Sequence, residues 1–387
     1  MGVDVVVVGA GIAGLSVAEA MLNRGVKVCV IEAKHAGYGA TGRSAGIATL
    51  QMNDVLDVRL AKKGIDIMDE WKRRYNLYDV LSTTGLLSID RSESITTNAR
   101  IFSDADVAYE VMDAKEAMDR WPWLRLDAGD GGDVECIYTK DDVCMDPLLF
   151  ARIFADRLKD MGVEFVISKA DIMSIKVDEK HNNNNHLTLR VDNRDVDADT
   201  LILCTGAWTK GISNLYAPIN ILKVPLIFFK IEHGSDMIVP FSDEINRTYF
   251  IPSRAGMLVG ADYTTWSVDK AEDALGEVLN WDADPDLSSY IKYIRGLLLS
   301  RINLNIHESK VHFGPISITP DGRPIVGRVP GFKNIYILDG LKGYGLARAP
   351  ALAYMLVEHI LDGAEIVGEL GSTRFISIND TRLVQGG

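Results

Sequence analysis

The segment that most constrains this chain is an apolar strand that runs directly into three spaced glycines. Residues 5–8 are all valine, the sequence Gly9-Ala10-Gly11-Ile12-Ala13-Gly14 follows, and Glu32 closes a second apolar strand. In such a set the first glycine permits a tight turn, the second lets backbone approach a pyrophosphate, and the third lets the helix pack on the sheet. An acidic residue after the second strand accepts hydrogen bonds from a ribose. The spacing therefore predicts a βαβ unit that binds a dinucleotide, either NAD or FAD.

The composition of the chain is that of a globular protein. It has 387 residues, 47% of them hydrophobic, which suffices for two or three domains' worth of structure. A formal net charge of −13, without a stripe of lysine and arginine, argues against a nucleic-acid partner. The apolar stretch at 3–22 carries Asp4, Glu19 and three glycines and lacks a basic start, so it resembles neither an export signal nor a membrane span. We expect a cytoplasmic protein without a transmembrane segment.

The four cysteines give no sign of a metal site. They are Cys29, Cys136, Cys144 and Cys204, and no two of them have CxxC spacing. Two of them fall inside predicted buried strands, where a thiol behaves as a small apolar side chain. We expect reduced core thiols and no bound metal.

The rest of the chain alternates between helical and strand-like segments. The all-apolar strands at 27–31 and 200–204 belong in a parallel sheet covered on both faces. Residues 221–314 alternate as an antiparallel sheet does, and the asparagine-rich stretches at 182–185 and 192–193 predict loop tips. Periodicity and capping residues predict helices near 12–24, 57–75, 113–120, 147–162, 286–300 and 348–361.

Three further glycine-containing blocks follow the first. The second reads Gly39-Ala40-Thr41-Gly42-Arg43-Ser44-Ala45-Gly46, and the third reads Leu203-Cys204-Thr205-Gly206-Ala207-Trp208. The fourth is Thr319-Pro320-Asp321-Gly322-Arg323-Pro324, followed by a short strand and a glycine loop at 340–345. Together the four blocks resemble the D-amino-acid-oxidase-type (DAO) family of FAD-dependent oxidoreductases over nearly the full length. The fourth block is the most specific, because its turn, strand and glycine loop rarely occur together by chance.

The resemblance implies the architecture of that family, which includes sarcosine oxidase, glycine oxidase and the catalytic subunit of dye-linked L-proline dehydrogenase. This is an α/β fold with a Rossmann-like FAD-binding domain of the glutathione-reductase-2 type and an inserted antiparallel-sheet (α+β) substrate domain. We expect residues 1–80, 145–220 and 315–387 to form the discontinuous FAD-binding domain. Residues 81–144 and 221–314 are expected to form the substrate-binding domain.

The resemblance also assigns residues to the cofactor. In the family the second block wraps the diphosphate and flavin, and the helix after the glycine loop faces the pyrimidine edge of the flavin. Arg43 stands where some relatives attach FAD covalently through a histidine, which implies noncovalent FAD here. Lys342 departs from the usual small serine or threonine, and Tyr344 from the usual histidine or tryptophan. The implied FAD-binding residues are Gly9, Gly11, Ile12, Ala13, Gly14, Glu32, Ala33, Thr41, Arg43, Ser44, Ala45, Gly46, Ile172, Thr205, Gly206, Gly340, Lys342, Gly343, Tyr344, Gly345 and Leu346.

The positions that usually bind substrate in the family hold other residues here. Ala48 and Ile316 stand where relatives that oxidise carboxylated amines place an arginine. Thr49 stands where relatives that oxidise hydroxy acids or glycerol 3-phosphate place a histidine base. The remaining candidates for substrate-side or catalytic roles are Thr49, Tyr249, Arg254, His312, Tyr344 and Arg348.

Four of these candidates also have a purely structural interpretation. Arg348 can be a solvated residue of a first helical turn, and Arg254 can be a turn residue. Tyr249 can pack on the core from its strand, and His312 can be a satisfied buried histidine.

Three functions stay open at this point. The first is oxidation of a C–N bond in a secondary amine or amino acid, by hydride transfer to flavin N5, giving an imine; this needs a desolvated neutral nitrogen rather than a strong base. The second is oxidation of a CH–OH substrate such as glycerol 3-phosphate or a 2-hydroxy acid, which needs a proton acceptor. The third is a flavin subunit of an electron-transfer complex, or a binding protein without activity. The sequence leaves the electron acceptor open and is compatible with a homo- or hetero-oligomer.

Overall fold

The fold is known from a computed structural model. It describes residues 2–126, 133–168, 170–177, 187–191, 194–212, 218–231, 238–253, 256–261, 265–278 and 285–375. The loop tips predicted at 182–185 and 192–193 lie outside the described residues.

The secondary structure of the described residues is divided between helices and short strands. The helices are α1 (Ile12–Asn23), α2 (Val55–Arg74), α3 (Ser92–Asp104), α4 (Ala114–Arg120), α5 (Pro147–Asp160), α6 (Pro285–Arg301) and α7 (Gly345–Asp362). The strands are β1 (Gly2–Val8), β2 (Val28–Glu32), β3 (Ile47–Ala48), β4 (Leu81–Thr83), β5 (Leu86–Arg91), β6 (Glu110–Asp113), β7 (Val134–Thr139), β8 (Val143–Met145), β9 (Glu164–Ile167), β10 (Ala170–Val177), β11 (Leu187–Val191), β12 (Arg194–Leu203), β13 (Asn220–Ile231), β14 (Phe241–Asp243), β15 (Thr248–Ser253), β16 (Gly256–Ala261), β17 (Trp266–Val268), β18 (Gly276–Val278), β19 (Ile306–Ile318), β20 (Ile325–Arg328) and β21 (Ile335–Asp339).

The first sheet has a parallel centre, as the all-apolar strands predict. Strands β21, β12, β1, β2 and β9 lie side by side and run parallel to one another. The antiparallel strands β10, β11 and β20 extend this sheet to eight strands. Helices α1 and α7 pack together against one face, α2 packs on α7, and both faces of β1 are buried in hydrophobic cores. The order brings β1, β12 and β21 together, so that the first, third and fourth glycine blocks follow neighbouring strands.

The second sheet has ten strands, and its pairs are antiparallel apart from β14 with β5. Its order is β18-β19-β13-β16-β15-β14-β5-β7-β6, with β17 beside the first part of β13. One face packs against α6 and the segment around Trp121 and Trp123 to form a separate hydrophobic core. The sheet thus joins strands from 81–144 with strands from 221–314. These are the two segments expected to form the substrate domain, and the domain boundaries themselves stay a prediction.

A third, small sheet lies beside the second glycine block. Strand β3 follows that block directly and pairs with β8, and β8 pairs with β4. Helix α7 packs on β3. The chain that leaves the second block is therefore held between the last helix and the strands that lead to the second sheet.

Two helices differ from the sequence prediction. Helix α3 was not predicted, because Ile95 and Phe102 are its only buried residues and two positions are too few to establish a helical period. Helix α7 begins at Gly345 rather than Arg348, so the last glycine of the loop already belongs to the helix. It ends as predicted at Gly363, whose φ of 72° suits a left-handed C-terminal cap. Within the described ranges, no helix combines the length and apolarity needed to cross a membrane.

Candidate active site

The first glycine block forms a cradle in which stretches of backbone nearly touch. A Cβ atom on Gly14 would lie 1.8 Å from the carbonyl oxygen of Gly9, and a Cβ atom on Gly9 would lie 2.4 Å from that of Cys204. Gly11 caps α1 without a side-chain hydrogen bond, and the amide of Ile12 donates to Thr41 Oγ1 at 2.9 Å. The exposed amides and positive end of such a helix suit a pyrophosphate.

Glu32 is oriented beside this cradle by two backbone amides. Its Oε2 accepts from the amide of Ala10 and its Oε1 from the amide of Lys34, both at 2.9 Å. A carboxylate has about four acceptor positions, so both oxygens can still accept from ribose hydroxyls. Ala33 follows Glu32 at the surface. The geometry fits the ribose-binding role predicted for Glu32.

The second block is a compact loop that contacts the second sheet. Its centre is a 3₁₀ turn, Thr41–Arg43, and the Ser44 hydroxyl donates to the Thr41 carbonyl at 2.8 Å. Half-buried Arg43 donates to the carbonyl of Tyr38 at 3.3 Å and to that of Phe313, on β19, at 3.4 Å. Ala45 is half-buried, and Gly46 has a φ of 81°. Arg43 therefore connects the predicted flavin-wrapping loop to the substrate-side sheet.

The third and fourth blocks meet at a carboxylate that sequence reasoning missed. Asp339, at the end of β21, is buried and accepts from Ser317 Oγ at 2.7 Å, from the Gly340 amide at 2.7 Å and from Thr209 Oγ1. Thr209 also shares a hydrogen bond of 2.5 Å with Thr205, beside Gly206. Burial raises the pKa of Asp339, and these donors oppose that rise. The position of Asp339 at the end of an apolar strand, directly before a glycine, is the sequence feature from which it could have been predicted.

The glycine loop brings a second helix N-terminus to the cradle. A Cβ atom on Gly345 would lie 3.7 Å from Cγ2 of Ile12, so α7 begins beside the first turn of α1. Tyr344 is the N-cap and makes no side-chain capping bond, and buried Leu346 follows. Lys342 has a φ of 56° and donates its amide to the carbonyl of Ser317 at 3.0 Å. Gly343 has open space around it.

The face of the second sheet opposite its hydrophobic core is turned toward this region. A Cβ atom on Gly314 would lie 3.1 Å from Cβ of Arg43, which places the second block over that face. Tyr249 lies opposite Gly260 in the β15–β16 pair, and its ring covers that glycine. Its neighbour Phe250 points into the core. Tyr249 is thus on the face that meets the glycine blocks, and the interpretation that it packs on the core is wrong.

His312 lies on the same face, two residues before Gly314 on β19. It is opposite Leu226 of β13, and its Nε2 is 3.8 Å from Oε1 of Glu277 on β18. The side chain is 37% exposed. The interpretation as a satisfied buried histidine is therefore wrong, and the imidazole can reach a ligand on this face.

Arg348 is neither solvated nor open to a substrate. Its side chain is 1% exposed, with one terminal nitrogen 2.6 Å from Oδ1 of Asp57 and the other 2.8 Å from the Leu341 carbonyl. Asp57 lies in the first turn of α2. The solvated interpretation is wrong, and because both terminal nitrogens are engaged we assign Arg348 to the contact between α2 and α7.

Thr49 is 7% exposed, and its hydroxyl takes part in a hydrogen-bond network. Its Oγ1 donates to Oδ1 of Asp142 at 2.6 Å and accepts from the amide of Gln51 at 2.9 Å. Of the other predicted residues, Ile172 lies on strand β10, and Arg254 falls outside the described residues. Asp142 is the second functional candidate that the sequence interpretation missed, because nothing near it in sequence marks it as buried.

The cysteines are unpaired and protonated. Cys29, Cys136 and Cys204 are buried and Cys144 is partly buried. Burial raises the pKa of Cys29 to about 11 and those of Cys136 and Cys144 to about 12. In the part of the chain that the structure describes, no three His, Cys, Asp or Glu side chains come together as a metal site would require.

Comparison with known proteins identifies the family. The family model described as FAD dependent oxidoreductase (DAO) matches residues 4–359. Glycine oxidase of Bacillus licheniformis is 24% identical over 379 residues, covering 92% of this chain and 93% of its own. The solved structure of L-proline dehydrogenase from P. horikoshii aligns with a TM-score of 0.78 at 22% identity and covers 96% of each chain. Glycine oxidase from Geobacillus kaustophilus gives 0.77 at 17%, covering 97% of this chain and all of its own.

These similarities confirm the predicted fold class and decide between the two dinucleotides that the first block allowed. The cradle at Gly9 and Gly14, the oriented carboxylate of Glu32 and the paired N-termini of α1 and α7 fit FAD. The chain belongs to the DAO family and is an FAD-dependent oxidoreductase.

Proposed function

We propose that this enzyme oxidises a C–N bond of a secondary amine or an amino acid and releases an imine. The observation that carries the proposal is the composition of the sheet face that meets Arg43. Apolar Leu226, Phe228 and Leu258 adjoin one another on this face, with Tyr249 and His312 near them and the charged Lys310 and Glu277 toward its edge. The apolar part of this face disfavours an ammonium ion and favours the neutral amine, whose lone pair assists loss of hydride from the neighbouring carbon.

The chain's own residues would hold the cofactor and orient the substrate. Glu32 would hold the ribose, and the N-terminus of α1 would face the pyrophosphate. Arg43, which donates to the carbonyls of Tyr38 and Phe313, stands where some relatives carry a flavin-linked histidine, and this supports noncovalent binding. Bound FAD supplies the hydride acceptor. Tyr249 and His312 would position the substrate by hydrogen bonds on the opposite wall. The names of the relatives, glycine oxidase and L-proline dehydrogenase, support this substrate class.

Anaerobic reduction of the enzyme-bound flavin tests the proposal. We expect proline, sarcosine, glycine or another amine to bleach the flavin absorbance band, and glycerol 3-phosphate and lactate to leave it unchanged. Bleaching by a hydroxylated compound alone would favour oxidation of a CH–OH group. No bleaching by any of these compounds would favour a subunit that only transfers electrons. Either result contradicts the proposal.

A pair of tyrosine variants tests whether the sheet face that carries Tyr249 binds the substrate. Y249F removes a hydroxyl from the face that meets the glycine blocks, whereas Y78F alters a tyrosine that is 55% exposed. We expect Y249F to slow flavin reduction by the substrate about tenfold, since one substrate hydrogen bond is lost, with an unchanged ratio of FAD to protein. Y78F should match the wild type. Equal rates for the two variants would remove Tyr249 from the substrate site.

A further inference from the structure

A buried carboxylate, for which the described part of the chain shows no ion pair, lies behind Thr49. Asp142 is fully buried in the turn between β7 and β8. Its Oδ1 accepts from Thr49 Oγ1 at 2.6 Å and from the Leu50 amide at 2.8 Å, and its Oδ2 accepts from Thr139 Oγ1 at 2.5 Å. All of these donors are neutral. A buried carboxylate held only by neutral donors takes up a proton more readily than one paired with lysine or arginine.

Thr49 connects this carboxylate to the region between the cofactor loop and the substrate wall. It is the third residue after Gly46, from which it is separated by β3. Two residues further on, the Gln51 side chain accepts from Ser88 Oγ at 2.5 Å. Ser88 in turn lies 2.5 Å from Ser242 Oγ, and Ser242 is paired with Tyr249 across the β14–β15 ladder. The segment that carries Thr49 thus begins at the second glycine block and ends on the sheet face that carries Tyr249.

We propose that Thr49 and Asp142 form a proton relay that removes the proton which an ammonium substrate must lose before its C–N bond is oxidised. The relay rests on the proposed function. The substrate N–H bond breaks, and its electron pair stays on nitrogen as the neutral amine. Thr49 Oγ gains that proton while its own proton passes to Asp142 Oδ1, so the carboxylate becomes a carboxylic acid. In this scheme Thr49 is a catalytic residue, and Asp142 is a positioning residue that acts through it.

The surroundings of Asp142 support this role. Burial raises its pKa to about 6, against the opposing effect of its hydrogen-bond donors, so it is ionised at neutral pH but takes a proton readily. The titratable groups that interact electrostatically with it are Tyr138 on β7 and Cys144 on β8. Burial raises the pKa of both, and both stay neutral near pH 7. Its side chain accepts from Thr49 and Leu50, directly after β3, and its carbonyl accepts from the amides of Thr84 and Gly85, in the turn before β5.

Threonine variants separate a relay from a structural role. T49V removes the relaying hydroxyl, T49S retains it, and T97V removes the hydroxyl of an exposed threonine of α3 as a control. The rate constant of anaerobic flavin reduction by the amine found active above is measured by stopped flow from pH 6 to 10.5. At pH 7 we expect T49V to be slower than wild type by about 100-fold, within the range for positioned proton transfer, and T49S and T97V to stay within about threefold.

The pH dependence decides the question. Above the pKa of the substrate ammonium, ~10 for a typical alkylamine, the substrate arrives neutral and no relay is needed. T49V should then approach the wild-type rate. D142N, which cannot take the proton, should show the same defect at pH 7 and the same recovery, and it covers the case in which T49V binds FAD poorly.

Two results would overturn the relay. One is a T49V or D142N defect that persists unchanged at pH 10.5, which is what a structural role predicts. The other is a T49S defect at pH 7 as large as that of T49V, although T49S retains the hydroxyl. If no amine reduces the wild-type flavin at any pH, it is the proposed function that fails, and the two failures are therefore distinguishable.

Discussion

At the scale of single residues, the space next to the backbone decides which side chains this chain tolerates. Gly14 and Gly296 both lie in helices, yet their surroundings are opposite. A Cβ atom on Gly14 would lie 1.8 Å from the carbonyl oxygen of Gly9, whereas a Cβ atom on Gly296 would meet nothing within 4 Å. Helical propensity alone favours alanine at both positions by up to about 1 kcal/mol. The cofactor cradle therefore keeps a residue that its helix disfavours.

The matched variants G14A and G296A test this interpretation. G14A forces the turn after β1 away from α1, so we expect loss of most bound FAD, measured as the ratio of flavin to protein absorbance. G296A should retain FAD and raise the free energy of unfolding by up to ~1 kcal/mol. Full FAD retention by G14A would contradict the close approach of Gly14 to the turn.

At the scale of secondary-structure elements, α6 is tied to the second sheet by a buried ion pair. Arg301, at the end of α6, lies 2.6 Å from Oδ2 of Asp243, at the end of β14, and both side chains are at most 3% exposed. The amide and side chain of Asn246 also donate to Asp243. By contrast, Arg24 and Asp362 form a solvent-exposed pair after α1 and at the end of α7. The two ion pairs thus have similar distances, but the first is shielded from water and the second is exposed to it.

The variants R301M and R24M should separate these two pairs. R301M leaves the Asp243 carboxylate buried without its cation, for which we expect a loss of about 3–5 kcal/mol in the free energy of unfolding. R24M removes an exposed pair and should lower it by less than about 1 kcal/mol. Urea denaturation followed by circular dichroism measures both. Similar losses for the two variants would show that Asp243 finds another partner.

At the scale of the whole molecule, the segment 47–51 joins the cofactor side to the substrate sheet through Asp142. The buried carboxylate has a pKa raised to about 6, from an ordinary value of 3.8, because of its burial. The folded state therefore holds this proton more tightly than the unfolded state. The protonated Asp142 contributes its full stabilisation below about pH 3.8, and this contribution is lost as the pH rises through about 6. The loss in the free energy of unfolding is roughly 3 kcal/mol, at ~1.4 kcal/mol per pKa unit.

The variant D142N tests this linkage. Asparagine resembles the neutral form, so the loss of stability between pH 4.5 and pH 7 should be smaller in D142N than in wild type. The comparison uses urea midpoints at the two pH values, with D156N, an exposed residue of α5, as the control. Identical pH dependence in wild type and D142N would mean that Asp142 does not change protonation in this range.

Sequence reasoning predicted the parts of the fold and site that depend on local pattern. The strand, glycines and acid of the first block, the buried strands and most helices follow from spacing and periodicity over a few residues. Helix α3 was missed because it buries only two side chains. The structural interpretations of Arg348 and His312 were wrong, because the exposure of a side chain depends on which distant element packs over it.

By itself the sequence determined the βαβ unit, the family resemblance and the glycines predicted to bind FAD, because backbone geometry at a tight turn allows few residues. Only the tertiary structure decided which polar side chains meet. Thr209 and Asp339 are 130 residues apart, and Thr49 and Asp142 are 93 apart. Likewise, strand register decided that Tyr249 and His312 share one face. The hydrogen-bond donors of a buried carboxylate can come from any part of the chain that packs against it. Such contacts between distant residues produce no pattern in the local sequence.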